Sequence, residues 1–251
     1  MPYQINSNYL ALKSFVEELP IRFPKEGQSI YKVRNEVKIF EVEGYLLNVK
    51  SYKVPNLFNK IAYRYLRGSK AKRSYEYAEF LLSKGIETPA PVAWVECHNG
   101  GVLKESYFVS IQHKHDFNLR DVLEDKVENK TEILNGFVDY TVNKLHKNGV
   151  FHLDYSPGNI LIRKEKDGYS YSVIDLNRMK FFPIDTEKGM ENLKQLHTTA
   201  ENYKIIGRRY GELVGIDPEV CAENLVDMDK KYQEYRARRG RFKRIFKKKQ
   251  Q

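Results

Sequence analysis

Asp154, Asn159 and Asp175 are the residues whose types and spacing could do chemistry. The first two lie five residues apart in HLDYSPGNIL, residues 152 to 161, and the third closes the run YSYSVID. Two carboxylates and an amide form a set of hard oxygen ligands. Such a set suits Mg2+, which binds carboxylates and substrate phosphates. An aspartate that is not tied to metal can accept the proton of an attacking hydroxyl. The plain alternative is an ordinary turn at Pro157-Gly158-Asn159, with Asp175 capping a strand end.

The neighbouring elements decide whether these groups can meet. TEILNGFVDYTVNKLHKNG, residues 131 to 149, predicts a helix. Ile133, Leu134, Phe137, Val138, Thr141, Val142 and Leu145 recur at helical spacing, and Gly149 stops the run. After HLDYSPGN, the stretches NILIR and YSYSVID read as a hairpin around Asp167-Gly168. Helix, loop and hairpin would hold Asp154 and Asn159 at both ends of their loop and return Asp175 to the same neighbourhood.

Upstream, NYLALKSFVEEL (residues 8 to 19) predicts a short amphipathic helix ended by Pro20. Residues 30 to 53 read as strands with Gly44 at a turn, and Pro55 closes this region. SKAKRSYEYAEFLLSKG, residues 69 to 85, predicts a helix with Ser69 as N-cap and Gly85 just past its end. ETPAPVAWVE leads into a strand, SYFVSIQ (106 to 112) is another, and NLRDVL begins a helix. From about Glu187 the pattern is helical. A β-rich part followed by a helical part predicts an α+β chain with two lobes and a junction near Gln112 to Asn118. The expected divisions are a helical extension (1–29), an N-lobe (30–112), a C-lobe (113–235) and a basic tail (236–251).

The composition narrows the classes further. With 41% hydrophobic and 13% aromatic residues, the 251-residue chain is globular. Cys97 and Cys221 stand far apart, which excludes a disulfide framework or a zinc site and fits a reducing compartment. The N-terminus has no secretory pattern, and no apolar run nears the roughly 20 residues that span a bilayer. A soluble, cytoplasmic protein is expected. The net charge of +10 is uneven. Nine Lys or Arg and no acid fall between Arg236 and Lys249, which leaves 34 basic and 33 acidic side chains in the first 235 residues. The charge therefore implies a partner of the tail, not of the body.

HLDYSPGN resembles the H-x-D-x-x-x-x-N catalytic loop of the protein-kinase-like superfamily, and Asp175-Leu176-Asn177 stands where those proteins carry D-F-G. The resemblance implies a bilobal protein-kinase-like fold with a β-rich N-lobe and a mainly helical C-lobe. It implies ATP and Mg2+, with Asp154 as catalytic base, Asn159 and Asp175 as metal ligands, and His152 as a brace of the loop. It also implies a phosphate-binding lysine and a helical glutamate that holds it. Lys50 in GYLLNVK is the lysine; Lys53 falls on the opposite face of the strand. Glu76 is the expected partner, with Glu79 one turn on. Adenine would be read by the backbone from Ser110 to Gln112. Two departures stand out: no G-x-G-x-x-G precedes Lys50, and Asn48 replaces the small apolar residue usual beside adenine.

Ser156 stands where protein kinases of the Ser/Thr type carry a lysine. After Asp175 no A-P-E follows, and the chain turns helical within about a dozen residues. The platform for a peptide acceptor is missing. RNEVKIF, NVKSYK, SKAKRSYEYAEFLLSKGIETPAPVAW, LHKNGVFHLDYSPGNIL and VIDLNRMKF resemble the bacterial lipopolysaccharide kinases that phosphorylate Kdo or heptose of the inner core. That resemblance implies transfer from ATP to a sugar hydroxyl of a glycolipid. RARRGRFKRIFKKK, with Phe242, Ile245 and Phe246 among its cations, would bind an anionic membrane surface, at roughly 1 kcal/mol per basic residue. Nucleic acid is not expected, because the body is near neutral. A protein kinase and a non-catalytic pseudokinase are the competing readings.

Overall fold

The computed structural model describes residues 1–33, 35–53, 68–100 and 102–248. Pro55 lies outside the described residues, as do residues 249–251 of the tail and the side chains of Phe242, Ile245 and Phe246. The chain forms two compact units: Met1–His115 with Ser172–Met179, and Asp116–Tyr171 with Lys180–Gln251.

The first unit is built on an antiparallel sheet. Its strands are β1 (Tyr3–Ile5), β2 (Gln28–Lys32), β3 (Glu36–Val42), β4 (Tyr45–Lys53), β5 (Pro91–Asn99) and β6 (Val102–Ile111), in the order β1-β5-β6-β4-β3-β2. Glu43 and Gly44 join β3 to β4 with φ of 50° and 76°. Two left-handed residues in a two-residue loop match the twist of the strands, which pins the register at Val42 against Tyr45. Alternation along β4 then assigns the faces. Leu47 and Val49 enter a core with Phe40, Tyr107 and Val109, whereas Asn48, Lys50 and Tyr52 point the other way.

Two helices cover the sheet. α1 (Lys13–Arg22) places Phe15, Val16 and Leu19 in the core beside Leu47. Pro20 lies inside α1 and does not end it. Its missing N–H removes a single bond near the helix end, and the following turn closes through Phe23 N–H to the Leu19 carbonyl at 2.8 Å. The first 29 residues therefore carry a strand of the sheet and a core helix. α2 (Lys70–Ser83) packs Ala71 and Tyr75 with Tyr52 and Trp94. Ser69 caps it, its side chain accepting from Lys72 N–H at 3.1 Å.

The second unit is mainly helical. A short strand, β7 (Phe117–Asn118), precedes α3 (Leu119–Leu123), which starts with a capping box of Asn118 and Asp121. α4 (Lys130–Tyr140) buries Ile133, Leu134, Phe137 and Val138. It runs on through a π-helical turn (Thr141–Leu145) and a 3-10 turn (His146–Asn148) before Gly149 ends it. β8 (Val150–His152) leads into the candidate loop. β9 (Ile160–Glu165) and β10 (Gly168–Val173) form the expected hairpin, with β7 beside β9. After β11 (Met179–Phe181) come α5 (Thr186–Leu193), α6 (Ala200–Val214) and α7 (Pro218–Lys248).

α6 and α7 approach closely because Gly207 faces α7. A Cβ at Gly207 would stand 2.5 Å from the Cα of Ala222. Cys221, Ala222 and Leu225 are buried there. Beyond Asp229 the helix leaves its packing, and from Lys230 to Arg239 every side chain except Tyr232 is exposed. The expected tail thus begins inside a continuous helix of 31 residues, roughly 46 Å long at 1.5 Å per residue.

Candidate active site

In the first unit, Lys50 projects from the face of β4 opposite the α1 core. Its Nζ donates to Asp175 Oδ1 at 2.5 Å and lies 5.3 Å from the centre of the Tyr52 ring. Burial pulls the Lys50 pKa down, but the neighbouring Tyr52 and Asp175 outweigh it, and the net direction is up. The ammonium is therefore held in its charged form. Tyr52 is itself fixed by a 3.1 Å hydrogen bond with Ser74 of α2.

Asp175 is placed by the segment before it. Val173 N–H donates to the Glu87 carbonyl at 3.1 Å, and Thr88 Oγ1 donates to the Val173 carbonyl at 2.7 Å. Asp175 has φ of 59°, a left-handed conformation that Asp tolerates better than most residues. Asn177 Nδ2 donates to the same Oδ1 at 2.7 Å. Asn177 is the third residue of Asp175-Leu176-Asn177, where the kinase-like motif carries glycine. Its two-residue spacing from Asp175 is the local signal for a self-bonded turn.

In the second unit, Asp154 and Asn159 come together as expected: Asn159 Nδ2 donates to the Asp154 carbonyl at 2.9 Å. This commits the amide nitrogen of Asn159 and leaves its Oδ1 as the ligand-type atom. His152 is fully buried, and its Nδ1 accepts from Asp154 N–H at 3.1 Å. Ser156 starts the single turn Pro157–Asn159. Asn159 belongs to this unit and Asp175 to the other.

Glu76 and the stretch from Ser110 to Gln112 have other partners. Glu76 does not hold Lys50. The buried face of α2 carries Ala71, Ser74, Tyr75, Ala78 and Leu81, and at 100° per residue Glu76 falls on the opposite face. It is exposed and pairs with Lys72 at 3.8 Å. The Ser110 to Gln112 backbone is also largely committed to the sheet. Ile111 N–H donates to the Ala90 carbonyl at 2.9 Å and Gln112 N–H to the Leu46 carbonyl at 2.8 Å. Ser110 lies in β6 between Asn48 of β4 and Pro91 of β5. Asn48 Nδ2 donates to the side-chain Oε1 of Gln112 at 2.9 Å, so the unusual polar residue has a partner.

Among the described residues no three His, Cys, Asp or Glu side chains gather as a metal cage. An aspartate carboxylate and an amide oxygen are each donors of the kind Mg2+ takes, an ion that keeps waters and substrate phosphates and needs few protein ligands.

The β-rich first unit and the helical second unit are those of a protein-kinase-like fold. The Lipopolysaccharide kinase (Kdo/WaaP) family matches residues 34–215, so the chain belongs to that family. It is a phosphotransferase with a hydroxyl acceptor. A solved structure described as "WaaP in complex with acyl carrier protein" is similar in fold, with a TM-score of 0.65 and 15% identity. That match covers 94% of this chain and 99% of the other. No curated protein matches the chain in sequence. The predicted α+β class, with a β-rich N-terminal part and a helical C-terminal part, stands.

Proposed function

We propose that this lipopolysaccharide kinase transfers the γ-phosphoryl group of ATP to a sugar hydroxyl of a glycolipid core. Asp154 accepts the proton of that hydroxyl. Lys50 holds nucleotide phosphate, and Asn159 Oδ1 and Asp175 hold Mg2+. Bound there, the ion would neutralise charge on the phosphates. The observation that carries this reading is the pairing of Lys50 with Asp175, a cation and an anion brought together 125 residues apart in sequence.

The C-terminal half of α7 is proposed to engage an anionic membrane surface at the cytoplasmic face, where a glycolipid acceptor would be found. No helix among the described residues is long and apolar enough to cross a membrane, so contact would be peripheral. The complex of the structural relative with an acyl carrier protein gives a second reading of α7, as a docking helix for a protein. Its exposure from Lys230 to Arg239, Tyr232 apart, leaves that stretch available for either. Deleting residues 236–251 should abolish sedimentation with anionic vesicles; retained sedimentation would remove the tail as the membrane-binding element.

The test of the reaction is transfer of label from γ-labelled ATP with Mg2+ to lipopolysaccharide core, with Asp154→Asn as control. Label in the glycolipid that disappears with the variant is the expected outcome. Label in protein alone would overturn the acceptor.

A further inference from the structure

Asp154 is held through its main chain. Its N–H goes to His152 Nδ1 and its carbonyl accepts from Asn159. One step further out on each side, the loop meets a single side chain, Gln195, in the 3-10 turn after α5. Gln195 Nε2 donates to the His152 carbonyl at 3.0 Å, and Gln195 Oε1 accepts from Tyr155 N–H at 3.2 Å. The amide thereby offers the loop the donor and acceptor that an adjacent β-strand would offer. Asn192, buried on α5, adds a second donor to the His152 carbonyl at 2.8 Å. Below the loop, the Tyr155 hydroxyl meets Thr141 Oγ1 at 2.7 Å, and Thr141 donates to the Phe137 carbonyl at 2.8 Å. Thr141 opens the π-helical turn, a feature found often at functional sites.

We propose that Gln195, supported by Asn192, is a positioning residue for phosphoryl transfer: it fixes the backbone on both sides of Asp154 and so aims the carboxylate at the acceptor hydroxyl. The proposal rests on Asp154 being the base. Gln195 is only partly buried, so core packing alone does not call for a primary amide there. The two contacts call for one. Glutamate keeps the acceptor and loses the donor, and methionine of similar length loses both. The clamp also explains how the short segment after Asp175 is used. It turns into α5 early, and α5 with its following turn supplies the supports of the catalytic loop.

The test uses the full-length protein with Mg2+, γ-labelled ATP and a lipopolysaccharide inner-core oligosaccharide. Wild type, Gln195→Met, Gln195→Glu and Asp154→Asn are compared in kcat and KM, and amide hydrogen exchange is followed across residues 152–159. Gln195→Met should lower kcat by roughly 10- to 100-fold with little change in KM for ATP, as expected of a base aimed wrongly. Exchange at Tyr155 N–H should rise, and Gln195→Glu should fall between the two. If Gln195→Met does not fold, the near-isosteric Gln195→Glu decides in the same way. A folded variant with wild-type kcat, or a loss confined to KM, overturns the clamp. An Asp154→Asn protein that still transfers overturns the base and this proposal with it. Loss with Asp154→Asn beside wild-type Gln195 variants overturns the clamp alone.

Discussion

Lys50 and Asp175 meet side chain to side chain and charge to charge. Asp154, by contrast, is fixed through its main chain by the imidazole of His152 and the amide of Asn159, with Gln195 bonded to the residues on either side. The β-rich unit therefore holds its groups by contacts that an incoming ion can replace. The main-chain contacts of Asp154 in the helical unit are neutral ones. Groups that bind phosphate and metal must change partners. A base must keep its direction while its own charge changes, and backbone bonds serve that better than a salt bridge.

Breaking the comparison at its centre should give the largest effect. Asp154→Asn keeps the main-chain bonds to His152 and Asn159 and removes the proposed base, so transfer should fall by roughly 10²- to 10⁴-fold. Calorimetry should show nucleotide affinity unchanged; lost affinity would mean that Asp154 serves binding.

The neutral character of the helical side gives the next effect. His146 is buried, and its Nε2 faces Asn192 Oδ1 at 3.4 Å. Burial pushes its pKa down to about 4 from an ordinary 6.5. The unfolded chain thus takes up the proton first, so stability present above pH 6.5 should be lost as pH falls toward 4. The loss reaches up to roughly 3 kcal/mol. Urea unfolding between pH 7 and 4 should show this slope in the wild type and a shallower one in His146→Phe. Equal slopes would remove His146 as the cause.

On the charged side, Asp175→Ala should weaken Mg2+-dependent ATP binding by roughly 10- to 100-fold, the size of one charge-assisted contact. Titration with and without Mg2+ checks this, and normal binding would take Asp175 out of the metal site. The smallest effect belongs to Glu76→Ala. An exposed pair with Lys72 is worth about 0.5 kcal/mol or less, so activity and melting temperature should hardly move. A large loss of activity would mean that Glu76 reaches Lys50 in the working enzyme.

Whatever is local was legible in the sequence. Asp154 and Asn159 lie five residues apart around a Pro-Gly turn, and period-two alternation alone separates Lys50 from Lys53. The helix of residues 131 to 149 shows its six apolar positions and Thr141 at helical spacing, although nothing in that spacing announces the π-helical turn at Thr141. The face of α2 was open to the same arithmetic. Ala71, Ser74, Tyr75, Ala78 and Leu81 share one side, and Glu76 was chosen for its place along the helix instead. The backbone bonds of Ile111 and Gln112 depend on Ala90 and Leu46 as sheet neighbours, which no local pattern names. Gln195 lies 40 residues from Tyr155, and a lone glutamine in KQLH carries no signal.

On the proposed reading a divalent ion would replace Lys50 before Asp175, and a phosphate would replace Asp175 before Lys50. A metal-bound triphosphate can relieve both at once, so neither charge is stranded in a partly buried place. Metal alone would leave Lys50 without its anion, and nucleotide alone would leave Asp175 without its cation. On the proposed reading the pair would yield most readily to metal and nucleotide together, since either alone would leave one charge without its partner.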